Sequence, residues 1–245
     1  MNVCRMKYKA VIFDLFGTLV DIFSRVEYDR VIREMADALS VSAGDFRRAW
    51  IAGGDARTLG IVASPMGSLS EVCRTLGIDP TSAQLERACK ARLDYYSRNM
   101  RPRRDAVKVL SQLKACGCHT GLISNCASEI HVSWEQTPFP RLIEAPVFSC
   151  SVGVKKPDPR IYAVAVTRLG VSPRSCLYVA DGDSGELQGA IEAGMDAVCI
   201  RNPQEMASDA LRVNEENWHG LTISSLCQVL DLVDVTHHGE TSRES

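Results

Sequence analysis

Three short, mostly apolar runs, each closed by one polar residue, constrain this chain most. Ala10-Val-Ile-Phe13 ends at Asp14, His119-Thr-Gly-Leu-Ile123 ends at Ser124, and Cys176-Leu-Tyr-Val-Ala180 ends at Asp181. Short runs of this kind fit strands buried on both faces, the habit of parallel sheets. Helical patterns separate them at 104–115, 158–169 and 185–193, closed by Gly117, Gly170 and Gly194. Further strands are expected at 146–149 and 197–200. Strand and helix alternating through short links predict an α/β fold with a doubly wound parallel sheet. In such a sheet the carboxyl ends of the strands converge on one crevice. Asp14, Ser124 and Asp181 are therefore expected to meet.

The stretch 24–98 has a different pattern. Its apolar residues fall at helical spacing, as in Val31, Met35, Ala38 and Leu39, then Phe46, Ala49 and Trp50. Turn signals at Gly53-Gly54, Ser64-Pro65-Met66-Gly67 and Gly77-Ile-Asp-Pro80 punctuate it, with Thr81 or Ser82 as a helix cap. The expectation is an inserted domain of about four helices at 24–98, a core built from 1–23 and 99–235, and a disordered polar tail at 236–245. A chain of 245 residues is long enough for a core and an insertion.

Lys+Arg number 28 and Asp+Glu 30, a formal net charge of −2. That balance argues against nucleic-acid or membrane-surface partners, which need a broad basic field. No apolar run approaches a membrane span, and the first residues show no secretory pattern. Ten cysteines are spread along the chain with only Cys116-Gly-Cys118 closely spaced, and no histidine stands at a ligand spacing from it. Zinc is not expected, and free thiols in a reducing cytoplasm are.

Lys156 lies in Gly153-Val-Lys-Lys-Pro157-Asp-Pro159, a loop that enters a helix. One lysine, one hydroxyl and two carboxylates in a crevice suit phosphoryl transfer. A carboxylate can attack phosphorus, two carboxylates can hold Mg²⁺, and the lysine and hydroxyls can hold phosphoryl oxygens.

Phe13-Asp14-Leu-Phe-Gly-Thr18-Leu, Leu-Ile-Ser124-Asn125, Lys156-Pro-Asp-Pro and Val-Ala-Asp181-Gly-Asp183-Ser-Gly-Glu186 stand in this order. Together they resemble the four motifs of the haloacid dehalogenase-like hydrolase superfamily, over residues 8–19 and 100–202. The resemblance implies that 24–98 is that family's helical cap. It implies that Asp14 is the nucleophile and that Thr18 and Ser124 contact the transferred group, joined by Gly17 and Asn125. It makes Lys156 the steadying positive charge, with Lys155 second to it. Asp14, the Phe16 carbonyl and Asp181 would hold Mg²⁺, with Glu186 ligating it or orienting a bound water.

One position departs from the pattern. Phosphatases of the superfamily usually carry a second Asp where this chain has Phe16. General acid–base help is worth ~10²–10⁴-fold, so an efficient phosphatase lacking it needs a substitute or a better leaving group. Asp21, Asp55 and Arg57 are candidate substitutes. A metal-independent 2-haloacid dehalogenase is the alternative, since that branch carries an aromatic at this position and Tyr162 also matches its pattern. That branch usually has Ser where this chain has Asp181, so the fourth motif favours a Mg²⁺-dependent phosphatase of a small phosphorylated metabolite, acting as a monomer or homodimer. A binding or regulatory protein that has lost turnover is the third reading.

Taken singly, each motif has a plainer reading as a turn, a helix cap or a solvated charge. Asp183 reads as no more than a turn residue. Arg98, Arg101, Arg103 and Arg104 read as a solvated hinge. Cys126 and Cys150 fall near the expected crevice, and His131 has no visible nucleophile partner.

Overall fold

The computed structural model describes residues 6–201 and 217–233. The expected tail at 236–245 lies outside the described residues. Within them, β1 (Ala10–Phe13), β2 (His119–Ser124), β3 (Ala145–Phe148), β4 (Cys176–Ala180), β5 (Asp196–Ile200) and β6 (Thr222–Ile223) form one sheet in the order β3-β2-β1-β4-β5-β6. Every neighbouring pair is parallel. The order reverses at β1, where β2 and β4 flank it. That reversal is the switch point at which open α/β sheets form their crevice.

The apolar runs read as they do because both faces of the sheet are covered. Val11 and Phe13 of β1 pack into one hydrophobic cluster with Leu110 and Leu113 of α6 (Ala106–Ala115), Ile130 and Trp134 of α7 (Glu129–Trp134), and Val229 of α11 (Gln228–Val233). Ala10 and Ile12 pack into the opposite cluster with Ile161 and Ala165 of α9 (Pro159–Leu169) and Leu187 and Ala190 of α10 (Glu186–Glu192). The period of two along a strand thus feeds both layers.

The expected elements are present with small shifts at their ends. The helix expected from 104 begins at Ala106, because the Arg103 amide pairs with the Leu19 carbonyl at 2.9 Å and keeps that stretch off the helix. The helix expected from 185 begins at Glu186, because Gly185 is left-handed at φ 66°. The strand expected at 146–149 ends at Phe148, since Ser149 opens α8 (Ser149–Val152).

Between β1 and α6 lie five helices rather than about four: α1 (Arg25–Ala38), α2 (Ala43–Ala52), the short α3 (Gly54–Thr58), α4 (Pro65–Leu76) and α5 (Ser82–Asn99). Four begin at a side-chain cap, Ser24, Ser42, Ser64 and Thr81. Thr81 and Gln84 complete a reciprocal capping box, so Thr81 is the cap and Ser82 the first helical residue. Four of them, α1, α2, α4 and α5, enclose their own hydrophobic cluster, centred on Met35, Phe46, Trp50, Leu69 and Tyr95. They join the sheet through α5 and α7, where Arg92 Nε donates to Glu129 Oε1 at 2.8 Å with both side chains buried. Aromatic rings add a second seam: Phe16 packs on Phe23 at 4.5 Å and edge-on to Tyr96 at 6.1 Å.

No helix of the described residues is long and apolar enough to cross a membrane. All nine described cysteines are free thiols.

Candidate active site

The end of β1 sets the geometry. The Asp14 amide extends the ladder to the Val179 carbonyl at 2.9 Å, and the chain then turns tightly, with the Gly17 amide on the Val20 carbonyl at 2.9 Å. Gly17 sits at φ +83°, and a Cβ there would collide with the Asp181 carboxylate. The turn after β1 can therefore press against Asp181 only if residue 17 is glycine.

Lys156 joins the end of β1 to the start of α10 electrostatically. Its Nζ lies 2.5 Å from Asp14 Oδ1, contacts Glu186 Oε2, and lies 3.2 Å from the Ile123 carbonyl and 3.3 Å from the Tyr178 hydroxyl. Burial works against its charge, but Asp14 and Glu186 outweigh burial and raise Lys156 above the ordinary lysine range. Lys155 turns away and pairs with Asp55 at 2.5 Å. The two adjacent lysines are thereby separated into a buried one and a surface one.

Asn125 braces Lys156 through the backbone. Its Oδ1 accepts from the Lys156 amide at 2.8 Å and its Nδ2 donates to the Lys156 carbonyl at 3.2 Å. Glu186 spends both its oxygens on the protein. Oε1 accepts from the Gly182 and Asp183 amides at 3.1 and 3.3 Å, and Oε2 meets Lys156 and the Tyr178 hydroxyl, the latter at 2.9 Å. Tyr162 is fully buried and donates its hydroxyl to the Glu186 carbonyl at 2.8 Å.

Asp14, Asp181 and Glu186 each offer one oxygen, and these oxygens lie within 4.8 Å of one another. All three residues are buried. Three carboxylates face one ammonium, so the cluster is short of positive charge. Burial first, then Asp14 and Asp181, raise the Glu186 carboxyl well above its ordinary value, against the opposing pull of Lys156. Buried carboxylates that oppose one another's ionisation are ones that a cation would relieve. An all-oxygen donor set also matches a hard divalent ion.

Thr18 Oγ1 and Ser124 Oγ are fully buried and have no hydrogen-bond partner among the described residues. Ser124 closes β2, and Thr18 lies in the turn that follows the adjacent strand β1. Buried hydroxyls are normally satisfied, so two orphans beside Asp14 and Asn125 fit an oxygen-rich ligand.

Above the carboxylates is a cavity of about 180 Å³, roughly six waters at about 30 Å³ each. Its polar floor includes Asp14, Lys156, Asp181 and Glu186, and its apolar wall is Phe16, Ile22, Phe23 and Tyr96. Asn125, Asp183 and Ser184 complete it. Asp183, expected only as a turn residue, does serve the turn by accepting from the Ser184 amide at 2.8 Å, and it also lines the cavity.

None of the suggested proton donors reaches the cavity. Asp21 is exposed and faces Arg103 at 3.6 Å. Asp55 is held by Lys155. Arg57 lies over the Trp50 ring at 3.9 Å and donates to the Trp50 carbonyl at 2.7 Å. Arg103 and Arg104 line a separate open groove with Asp21. Sequence reasoning missed Tyr96, the α5 side chain that enters the wall. Its signal was the Tyr95-Tyr96 pair one helical turn beyond Arg92.

A family model for haloacid dehalogenase-like hydrolases matches residues 8–194. The chain belongs to this family. It is an enzyme, a hydrolase of the haloacid dehalogenase-like type. The (S)-2-haloacid dehalogenase 4A of Burkholderia cepacia is 27% identical over 202 residues, covering 80% of this chain and 86% of the relative. The glyceraldehyde 3-phosphate phosphatase of Methanopyrus kandleri is 31% identical over 163 residues, covering 65% of this chain and 68% of the relative. Among solved structures, a HAD phosphatase from Thermococcus onnurineus superposes with a TM-score of 0.62 at 20% identity, covering 91% of this chain and 97% of that one. The relatives thus include both haloacid dehalogenases and phosphatases, and family membership does not choose between them.

Proposed function

We propose that this hydrolase is a Mg²⁺-dependent phosphatase of a small phosphorylated metabolite, working through an aspartyl-phosphate at Asp14. The observation that carries the reading is the buried cluster of Asp14, Asp181 and Glu186 around a single Lys156. A dehalogenase that displaces halide without a metal can use one further carboxylate to activate the water that hydrolyses its ester, but a second one beside the nucleophile has no such use. Bound Mg²⁺, held by Asp14, Asp181 and the Phe16 carbonyl, would neutralise charge on the phosphoryl group.

In this mechanism an Asp14 oxygen attacks phosphorus and the ester oxygen leaves. Thr18 and Ser124 donate their free hydroxyls to phosphoryl oxygens. Lys156 keeps Asp14 aimed and ionised and balances charge on the leaving side. Glu186 holds Lys156 and the Gly182-Asp183 turn, so it orients rather than attacks. Asn125 serves the site by fixing the Lys156 backbone. Water then hydrolyses the aspartyl-phosphate. The small cavity and the net charge of −2 favour a small-molecule substrate over nucleic acid.

Phosphate release from an aryl phosphate and halide release from a 2-haloacid, each with Mg²⁺ and with chelator, test the reading. Phosphate release that chelator abolishes is the expected result. Chelator-insensitive halide release would overturn it in favour of the dehalogenase, the reading that Phe16 and its aromatic wall favour. Mg²⁺ binding without any turnover would favour a regulatory protein.

Phe16 also sets the substrate. With no acid at that position, the leaving group must be stable without a proton. Phe16→Asp should raise turnover of alkyl phosphates by about 10-fold or more, part of the ~10²–10⁴-fold that general acids supply. Aryl phosphates should gain much less. An equal or lower alkyl rate would mean that another group already donates the proton.

A further inference from the structure

Cys126, Cys150 and His131 form a cluster of nucleophilic and titratable side chains that the hydrolytic chemistry does not use. The register of β2 on β3 pairs Ser124 with Phe148. The two cysteines, each two residues further on, therefore leave adjacent parallel strands side by side. Ser149 fastens them: its Oγ accepts from the Cys126 amide at 3.0 Å and donates to the Cys126 carbonyl at 3.2 Å.

The two thiols differ in character. Cys126 is buried, with its Sγ 3.6 Å from the Ser124 carbonyl. Cys150 is partly exposed, and its Sγ lies 3.8 Å from His131 Nε2, which also lies 3.3 Å from Ser151 Oγ. The neighbouring Cys126 thiol first, then His131 and Ser151, outweigh burial and bring Cys150 down to about 6. Burial and Cys150 itself push Cys126 well up. One sulfur is thus partly exposed beside an imidazole and its neighbour is buried, the arrangement of a reactive cysteine with a resolving partner.

We propose that Cys150 and Cys126 are a peroxide-reactive dithiol, with Cys150 the attacking sulfur and Cys126 the resolving one, separate from the carboxylate site. The Cys150 thiolate attacks one oxygen of hydrogen peroxide, the O–O bond breaks, and hydroxide leaves as Cys150 becomes a sulfenic acid. The Cys126 sulfur then attacks the Cys150 sulfur, the S–O bond breaks and a disulfide forms. Overall two thiols and one peroxide give one disulfide and two waters, the sulfurs oxidised and the peroxide reduced. The disulfide would tie α8 to the residue that follows Asn125, the brace of Lys156. The Cys150 backbone also faces the five-helix layer, where a Cβ on Gly60 would overlap its carbonyl.

The test uses the full chain and needs no knowledge of its substrate. Reduced protein is exposed to hydrogen peroxide, quenched with N-ethylmaleimide and mapped by peptide mass spectrometry. A Cys126–Cys150 linked peptide, lighter by two hydrogens, is the expected product. Under limiting iodoacetamide, Cys150 should label at least several-fold faster than the exposed Cys116 of the same molecule. Cys126→Ser should leave a Cys150 sulfenic acid that dimedone traps, and Cys150→Ser should leave Cys126 unmodified. His131→Ala should slow labelling of Cys150 and not of Cys116. Peroxide that oxidises other cysteines before this pair, or equal labelling of Cys150 and Cys116, would overturn the proposal.

Discussion

Asp14→Asn should lower turnover by about 10⁴-fold or more, the scale on which covalent enzymes lose rate when their nucleophile goes. The substitution is nearly isosteric. The amide that replaces the carboxylate still offers Lys156 an acceptor oxygen, so the 2.5 Å contact has a successor and the fold should survive. What is lost is the second anionic oxygen and with it attack on the substrate. The loss should be the same for phosphate and for halide release, because both chemistries begin at this carboxylate. A circular dichroism melt within a few degrees of the parent, with turnover gone, is the expected pair of results. Turnover above about a tenth of the parent would refute Asp14 as the nucleophile.

Lys156→Met should cost both activity and stability. Removing one partner of a buried ion cluster leaves unpaired charge, typically at about 3–5 kcal/mol. Here Asp14 and Glu186 both lose their ammonium, with each side chain under a tenth exposed. For a chain of this size that corresponds to about 6–20 °C in Tm, at roughly 2–4 °C per kcal/mol. The pH dependence has a definite sign. Glu186 already sits well above the ordinary value of 4.5 through burial and its carboxylate neighbours. The folded state therefore holds that proton more tightly than the unfolded chain. The resulting stability is present near and below 4.5 and is lost as pH rises through the raised value. Without Lys156 the shift grows, so the variant should melt closest to the parent at acid pH and furthest below it at pH 8. Melts at pH 5 and pH 8 measure this directly. A variant as stable as the parent at pH 8 would mean that the cluster is already neutralised by other means.

The sheet was legible because burial on both faces writes itself into composition. Ala10–Phe13 and Cys176–Ala180 have no polar face to hide, and their polar terminators mark the carboxyl ends. The meeting of Asp14 and Asp181 at one end followed from parallel topology, and Ser124 closes the neighbouring strand β2. Other features depend on facts no local pattern carries. Lys155 and Lys156 are ranked in sequence only by the resemblance, and the Asn125 brace with the Asp14 and Glu186 carboxylates holds Lys156 buried. Asp55 and Arg57 lie on the right segment, but Lys155 and Trp50 hold them elsewhere. Tyr96 reaches the cavity through the way α5 docks on α7, a long-range packing choice. The nearness of Cys126 and Cys150 depends on strand register, which two short runs separated by more than twenty residues do not disclose.

Phe16 packs against two hydrophobic clusters at once, that of the sheet and that of the inserted helices. Placing an acid there would exchange that apolar packing for a carboxylate at the edge of the cavity. Proton donation and dryness are thus competing uses of one position. A saturation library at residue 16 should sort along a single front, with variants that protonate difficult leaving groups at one end and variants that shelter the covalent intermediate from stray water at the other. No member should excel at both. With Phe16, this chain stands at the apolar end of that front.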